Sequence, residues 1–204
     1  GLVGEDGATH HGAFDLAAYR SIPDTIISAP RDEVQLKSLM YTAWQHDTGP
    51  FIIRYPRGMG EGTPWRQTPG TPAEVGKGET LLEGGEVAIL GLGPVVNRAL
   101  EAAGKWPGRV GVYDLRFLKP LDEALLASVA ARYRHLITVE DGCLAGGLYG
   151  AVSEWLAAHP SGATLEGIGI PDRFIAQGRQ AEQYAECGLD AAGIAKSLKK
   201  VFGE

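Results

Sequence analysis

Three side chains in the first sixty positions have the chemistry to handle a small, oxygenated, anionic molecule. Asp6 and His10 lie in Gly4-Glu5-Asp6-Gly7-Ala8-Thr9-His10-His11-Gly12, and Arg57 lies in Arg54-Tyr55-Pro56-Arg57-Gly58. A carboxylate and a neutral imidazole on one exposed loop can hold or share protons at hydroxyl and carbonyl oxygens. Arg57, with Pro56 before it and Gly58 after it, is fixed in direction and has backbone room, which suits a guanidinium clamping a phosphate. Each residue also has a plainer use: Asp-Gly makes turns, a single histidine is often structural, and an arginine can serve a surface ion pair.

The segments around these groups read as an α/β unit. Leu2-Val3 is the end of a strand, glycines at 4 and 7 permit a tight loop, and Ala13 to Arg20 is an amphipathic helix. Thr9 as N-cap would put His10 in the first helical turn, whose positive end disfavours imidazolium. Thr25 to Ala29 reads as a buried strand. Asp32-Glu33 start a helix whose stripe of Leu36, Leu39, Met40 and Ala43 is expected in the core, and Phe51 to Tyr55 is the next strand. Strand, helix, strand, helix, strand implies a parallel sheet with right-handed crossovers, whose ligand site lies beyond the carboxyl ends of its strands. Asp6, His10 and Arg57 each follow such an end, so one rim should gather them. Arg54, inside the strand, is expected in a structural ion pair. His10 and His11 would point about 100° apart on a helix with no third ligand nearby, so no metal site is expected.

Residues 59–80, rich in proline and glycine, read as a linker, and 77–90, broken at Gly84-Gly85, as a hairpin leading into a second sheet. Strands are then expected over 87–91, 109–113, 135–140 and 163–168, and helices over 95–104, 122–133, 145–158, 180–187 and 190–202. Gly91-Leu92-Gly93, with Asp114 about 20 residues on, imitates a dinucleotide fingerprint but lacks the third glycine. Glu140-Asp141-Gly142 with Gly146-Gly147 resembles an anion-binding helix start, yet two carboxylates would repel an anion, so packing or a subunit contact is expected.

Composition narrows the class. Of 204 residues 44% are hydrophobic and 22% charged, as in ordinary globular domains, and the net charge of -6 without a basic cluster argues against a nucleic-acid surface. Cys143 and Cys187 fit neither a zinc spacing nor a disulfide framework. No apolar run approaches the roughly 18 residues of a membrane span, so a cytoplasmic location is expected. A chain beginning at Gly1 on a strand reads as a piece of something longer.

The string Gly4-Glu5-Asp6-Gly7-Ala8-Thr9-His10-His11-Gly12-Ala13-Phe14-Asp15-Leu16 resembles the transketolase group of thiamine-diphosphate enzymes, and within it the 1-deoxy-D-xylulose-5-phosphate synthases. Arg54-Tyr55-Pro56-Arg57-Gly58, Tyr113 to Asp122 and Gly188 to Gly193 extend that likeness along the whole chain. It implies the second half of a parallel-sheet pyrimidine-binding domain over 1–62, a linker and hairpin start over 63–80, and a complete α/β transketolase carboxy-terminal domain over 81–204. It implies a transferase that condenses pyruvate with D-glyceraldehyde 3-phosphate, with decarboxylation, to 1-deoxy-D-xylulose 5-phosphate, a precursor of isoprenoids, thiamine and pyridoxal phosphate. In that reading Arg57 binds the substrate phosphate, Asp6 orients a substrate hydroxyl, and His10 shares a proton at the reacting oxygen. Thiamine diphosphate and Mg2+ would be held mainly by an amino-terminal portion, with which the chain acts in a homodimer. The Gly-Asp-Gly and asparagine of the family's diphosphate site are not in this sequence, nor is its activating glutamate. A transketolase, the beta subunit of a 2-oxo acid dehydrogenase, and a non-catalytic dimerisation or regulatory remnant are the alternatives.

Overall fold

Every residue of Val87-Ala88-Ile89-Leu90-Gly91-Leu92 is buried, as expected of a strand covered by helices on both faces. The computed structural model describes residues 1–204 and contains two sheets. The larger has β3 (Glu79–Leu82), β4 (Val87–Leu92), β5 (Val110–Asp114), β7 (His135–Cys143) and β8 (Thr164–Ile170), in the order β3-β5-β4-β7-β8. All its pairings are parallel except that of β3 with β5. The sequence-predicted hairpin over 77–90 is therefore absent: β3 skips its chain neighbour β4 and runs antiparallel to β5. Gly84 shows why the chain can turn away there, since a Cβ on it would sit 2.2 Å from the Val110 carbonyl carbon.

Period-2 alternation along β4 divides the core. Val87 and Ile89 pack with α3 (Val95–Ala103) and α7 (Ala191–Phe202), while Ala88 and Leu90 pack with α4 (Glu123–Arg132) and α5 (Leu148–Ala158). These elements lie within a few residues of their expected positions, and α6 (Gln180–Cys187) coincides with its expected range. Gly188, at φ 70°, ends α6 in the left-handed conformation that favours glycine.

The smaller sheet holds β1 (Ile26–Ser28) and β2 (Phe51–Ile53), paired in parallel, and β6 (Phe117–Lys119), antiparallel to β1. It is thus not the all-parallel sheet expected from the first unit alone. Leu2-Val3 forms no strand; buried Leu2 and Ala13 instead join the core of the larger sheet, with Val87 and Ile137. The third strand comes from the second unit, a three-residue element that short apolar periodicity did not reveal. The two units are therefore tied by strand pairing as well as by packing.

Helix α2 (Glu33–Trp44) starts as expected, with the Asp32 carboxylate accepting from the Gln35 N–H at 2.8 Å. Its stripe is not core throughout: Leu39 is fully buried, but Met40 is 59% exposed and Trp44 78%. Leu36, Met40, Tyr41 and Trp44, together with Trp65, line an open groove of about 570 Å³. No helix is long and apolar enough to cross a membrane.

Candidate functional site

The loop from Gly4 to Gly12 is shaped by two glycines in the left-handed region, Gly4 at φ 85° and Gly7 at φ 72°. His10 and His11 both donate their backbone N–H to the Gly7 carbonyl, at 3.0 and 3.2 Å, which closes a tight turn. Tight curvature leaves Asp6, Thr9 and His10 exposed. Thr9 does not cap a helix. The first helix, α1 (Asp15–Arg20), begins five residues after His10, with Phe14 at its N-cap. The expectation that a helix terminus acts on His10 is therefore corrected, because the non-helical residues 11–14 lie between them. The His10 ring contacts the Thr9 hydroxyl at 3.0 Å through Nδ1. His11 turns inward, where its Nδ1 accepts the Val3 N–H at 3.1 Å.

Arg57 follows β2 in an irregular segment whose next residue, Gly58, has φ 119°. Its guanidinium forms an ion pair with the Asp6 carboxylate. Residues 51 positions apart thus meet at one edge, with side-chain exposures of 59% and 39% that leave both open to a ligand. Arg57 also lines a small cleft of about 50 Å³ with Arg98, Gln180 and Tyr184. Arg98 is held by Glu61 at 3.3 Å. The larger groove beside α2 is lined by none of Asp6, His10 or Arg57. Its walls are mainly apolar, with Glu33 and Lys37 beside them.

Arg54 is a structural residue, as expected, although β2 ends one residue before it. It is 7% exposed, donates to the Asp141 carbonyl and lies 3.8 Å from Asp15 and 3.9 Å from the Asp141 carboxylate. Asp141 in turn accepts the Leu2 N–H and the Tyr184 hydroxyl, each at 3.0 Å. The glycine-rich start of α5 is already filled: Glu140 accepts from the Leu148 and Tyr149 N–H groups at 2.7 and 2.8 Å. Burial pushes the Glu140 carboxyl up to about 7 against those two bonds. Asp114, in the imitation of a dinucleotide site, is also engaged, accepting from Gln35 at 2.8 Å and from the Arg116 N–H at 3.0 Å. Burial raises its carboxyl to about 6.

Sequence reading missed the residues that support the loop from behind. Gln183 is 2% exposed, accepts the Gly4 N–H and donates to the Gly4 carbonyl, both at 3.0 Å. Gln180 donates to the Leu2 carbonyl at 2.6 Å and the Arg57 carbonyl at 3.2 Å. The only sequence signal was their i, i+3 spacing on α6, which reads as an ordinary polar helix face.

The donor set has a definite scope. Exposed carboxylate, imidazole and guanidinium groups can share protons with oxygen atoms and bind an anion. No group of three or more His, Cys, Asp or Glu side chains converges as a cation site.

Comparison with known proteins gives the family. Residues 1–61 match the profile of the transketolase pyrimidine-binding domain and residues 76–194 that of the transketolase C-terminal domain. The chain is 47% identical to a 1-deoxy-D-xylulose-5-phosphate synthase of Bacteroides thetaiotaomicron, over 98% of the chain and 31% of that protein. It is 48% identical to the synthase of Nitratidesulfovibrio vulgaris, over 99% of the chain and 32% of that protein. The chain thus spans about a third of the length of these relatives. Among solved structures, one described as a split gene transketolase, an inactive beta4 tetramer, superposes with TM-score 0.82 at 29% identity, covering 95% of this chain and 62% of that one. A Pichia stipitis transketolase shares the fold at TM-score 0.69 and 20% identity, over 97% of this chain and 28% of its own. With both domain profiles matched and synthases among its similar relatives, the chain belongs to the transketolase family, whose members use thiamine diphosphate.

Proposed function

We propose that this chain is the aldehyde-positioning part of a transferase that condenses pyruvate with D-glyceraldehyde 3-phosphate, with decarboxylation, to 1-deoxy-D-xylulose 5-phosphate. The observation that carries the reading is the meeting of Arg57 and Asp6 on an open edge, beside the loop that also presents His10. An exposed ion pair of this kind is worth about 0–1 kcal/mol, so an incoming phosphate dianion can take the guanidinium at little cost. Arg57 then holds the substrate phosphate, Asp6 is released to accept a hydrogen bond from a substrate hydroxyl, and His10 holds a proton at the carbonyl oxygen. Thiamine diphosphate supplies the decarboxylation chemistry, and residues outside this chain hold it together with Mg2+.

In this reading 1–62 is the second half of the pyrimidine-binding domain, 63–80 a linker and 81–204 the carboxy-terminal domain. The working enzyme is a cytoplasmic homodimer that includes an amino-terminal portion. Similarity to synthases at 47% identity favours this substrate pair over those of transketolase or a 2-oxo acid dehydrogenase. The test uses the full-length polypeptide, offered pyruvate with the phosphorylated aldehyde, sugar-phosphate pairs, or lipoamide. Arg57→Ala should raise the KM for the phosphorylated aldehyde by about a hundredfold, the loss of a charge-assisted phosphate contact, and leave the KM for pyruvate within about twofold. Equal changes for both substrates would remove Arg57 from the phosphate site, and turnover only of the sugar-phosphate pairs or of lipoamide would replace the proposed reaction.

A further inference from the structure

Three glycines frame the candidate site, and all three rest on one short stretch of the second domain. A Cβ at Gly4 would lie 3.5 Å from the Gly178 carbonyl oxygen and 3.6 Å from the Gln180 nitrogen. One at Gly7 would lie 3.2 Å from the Gln177 Cβ, and one at Gly58, beside Arg57, 3.5 Å from the Gln180 Oε1. The left-handed backbone, at φ 85°, 72° and 119°, favours glycine at all three points, and at Gly7 the close approach of Gln177 adds to it.

Polar contacts then fix the register. Residues 180, 183 and 184 project from one face of α6 at i, i+3 and i+4 spacing. Gln183 meets both polar groups of Gly4, so its planar amide substitutes for a neighbouring strand. Because the Gly4 N–H can only donate, the side-chain oxygen must face it, which sets the amide orientation. The Gln183 amide nitrogen also donates to the Ala176 carbonyl at 2.9 Å, anchoring it to its own domain. Gln180 reaches the carbonyls of Leu2 and Arg57 with one amide nitrogen, joining the Asp6 loop to the Arg57 turn. Tyr184 continues the row to Asp141, which holds the Leu2 N–H.

We propose that α6 of the carboxy-terminal domain is the positioning element of the substrate site, and that Gln183, supported by Gln180, is a positioning residue holding the loop that presents Asp6 and His10 in register with Arg57. The kinetic part of this inference rests on the function proposed above; the mechanical part does not. Buried polar contacts of this kind fail expensively, because a lost partner strands a backbone N–H and C=O away from water. The same contacts keep a flexible glycine loop at productive geometry, where small displacements have large kinetic effects.

The test again uses the full-length enzyme, with Gln183→Met, which keeps length but loses the hydrogen bonds, and Gln183→Glu, which keeps the acceptor for Gly4 alone. Gln183→Met should raise amide exchange within 4–12 by about tenfold, the loss expected for a buried hydrogen bond, with exchange in β4 unchanged. The aldehyde KM should rise by a similar factor with the pyruvate KM held, and Gln183→Glu, whose second oxygen would face the Gly4 and Ala176 carbonyls, should restore neither. Unchanged loop exchange in Gln183→Met, or equal shifts in both KM values, would overturn the proposal. Should Gln183→Met fail to fold, Gln180→Leu, at a partly exposed position, is read in the same two ways. If the wild type does not turn over the pyruvate and aldehyde pair, the proposed function fails, while the exchange measurement still decides whether α6 holds the loop.

Discussion

At the scale of single residues, the candidate site combines strong groups with weak mutual ties. Asp6 and Arg57 pair at the surface, where solvent and salt screen the attraction. His10 makes one side-chain contact, to Thr9, and supports nothing in the core. A residue so placed can change the chemistry with little effect on the fold. In the full-length enzyme, His10→Ala should lower kcat by about a hundredfold, the usual worth of a positioned acid or base, with no change in the thermal midpoint. Normal turnover in that variant would exclude a proton-handling role. Arg54 is the opposite case: three residues from Arg57 and of the same type, it is buried among Asp15 and Asp141. Position along the chain hinted at this difference, and burial decided it.

At the scale of elements, the helix starts carry the most instructive contrast. The start of α5 looked like an anion-binding loop, but Glu140 fills it from within the same chain. Burial raises that carboxyl from its ordinary 4.5 to about 7, so the folded state holds the proton more tightly than the unfolded state. The associated stability is fully present below about 4.5 and is lost as the pH rises toward about 7. Glu140→Gln cannot ionise and should flatten the fall in unfolding free energy across that window by an amount on the order of 3 kcal/mol. Chemical denaturation at several pH values measures it, and an unchanged slope would mean that Glu140 stays ionised when folded. Asp114, raised to about 6, contributes in the same direction and should persist in the variant.

Across the whole molecule, β6 is the joint. Phe117–Lys119 leaves the second unit and pairs with β1 of the first, and Phe117 is fully buried with Ile26 and Leu39. Leu2 and Ala13 make the reciprocal crossing, from the opening segment into the core of the larger sheet. Neither unit completes its core alone. Phe117→Ala should therefore cost about 3–5 kcal/mol and lower one shared unfolding transition. Calorimetry resolving two transitions, with only one of them shifted, would show that the sheets unfold independently.

Local patterns in the sequence were enough for the second unit's parallel strands and helices, for Asp32 at the start of α2, and for the strings that mark the family, because each depends on neighbours a few residues apart. The loop glycines likewise mark a tight turn by their residue type alone. Tertiary structure alone decided that β3 passes over β4 to reach β5, that β6 completes a sheet begun ninety residues earlier, and that Met40 and Trp44 stay at the surface. It alone placed Gln183 against Gly4 across 179 positions. Pairings of that separation leave no periodic trace in the chain, since a glutamine facing solvent and one holding a backbone are spelled alike until packing removes the water between them.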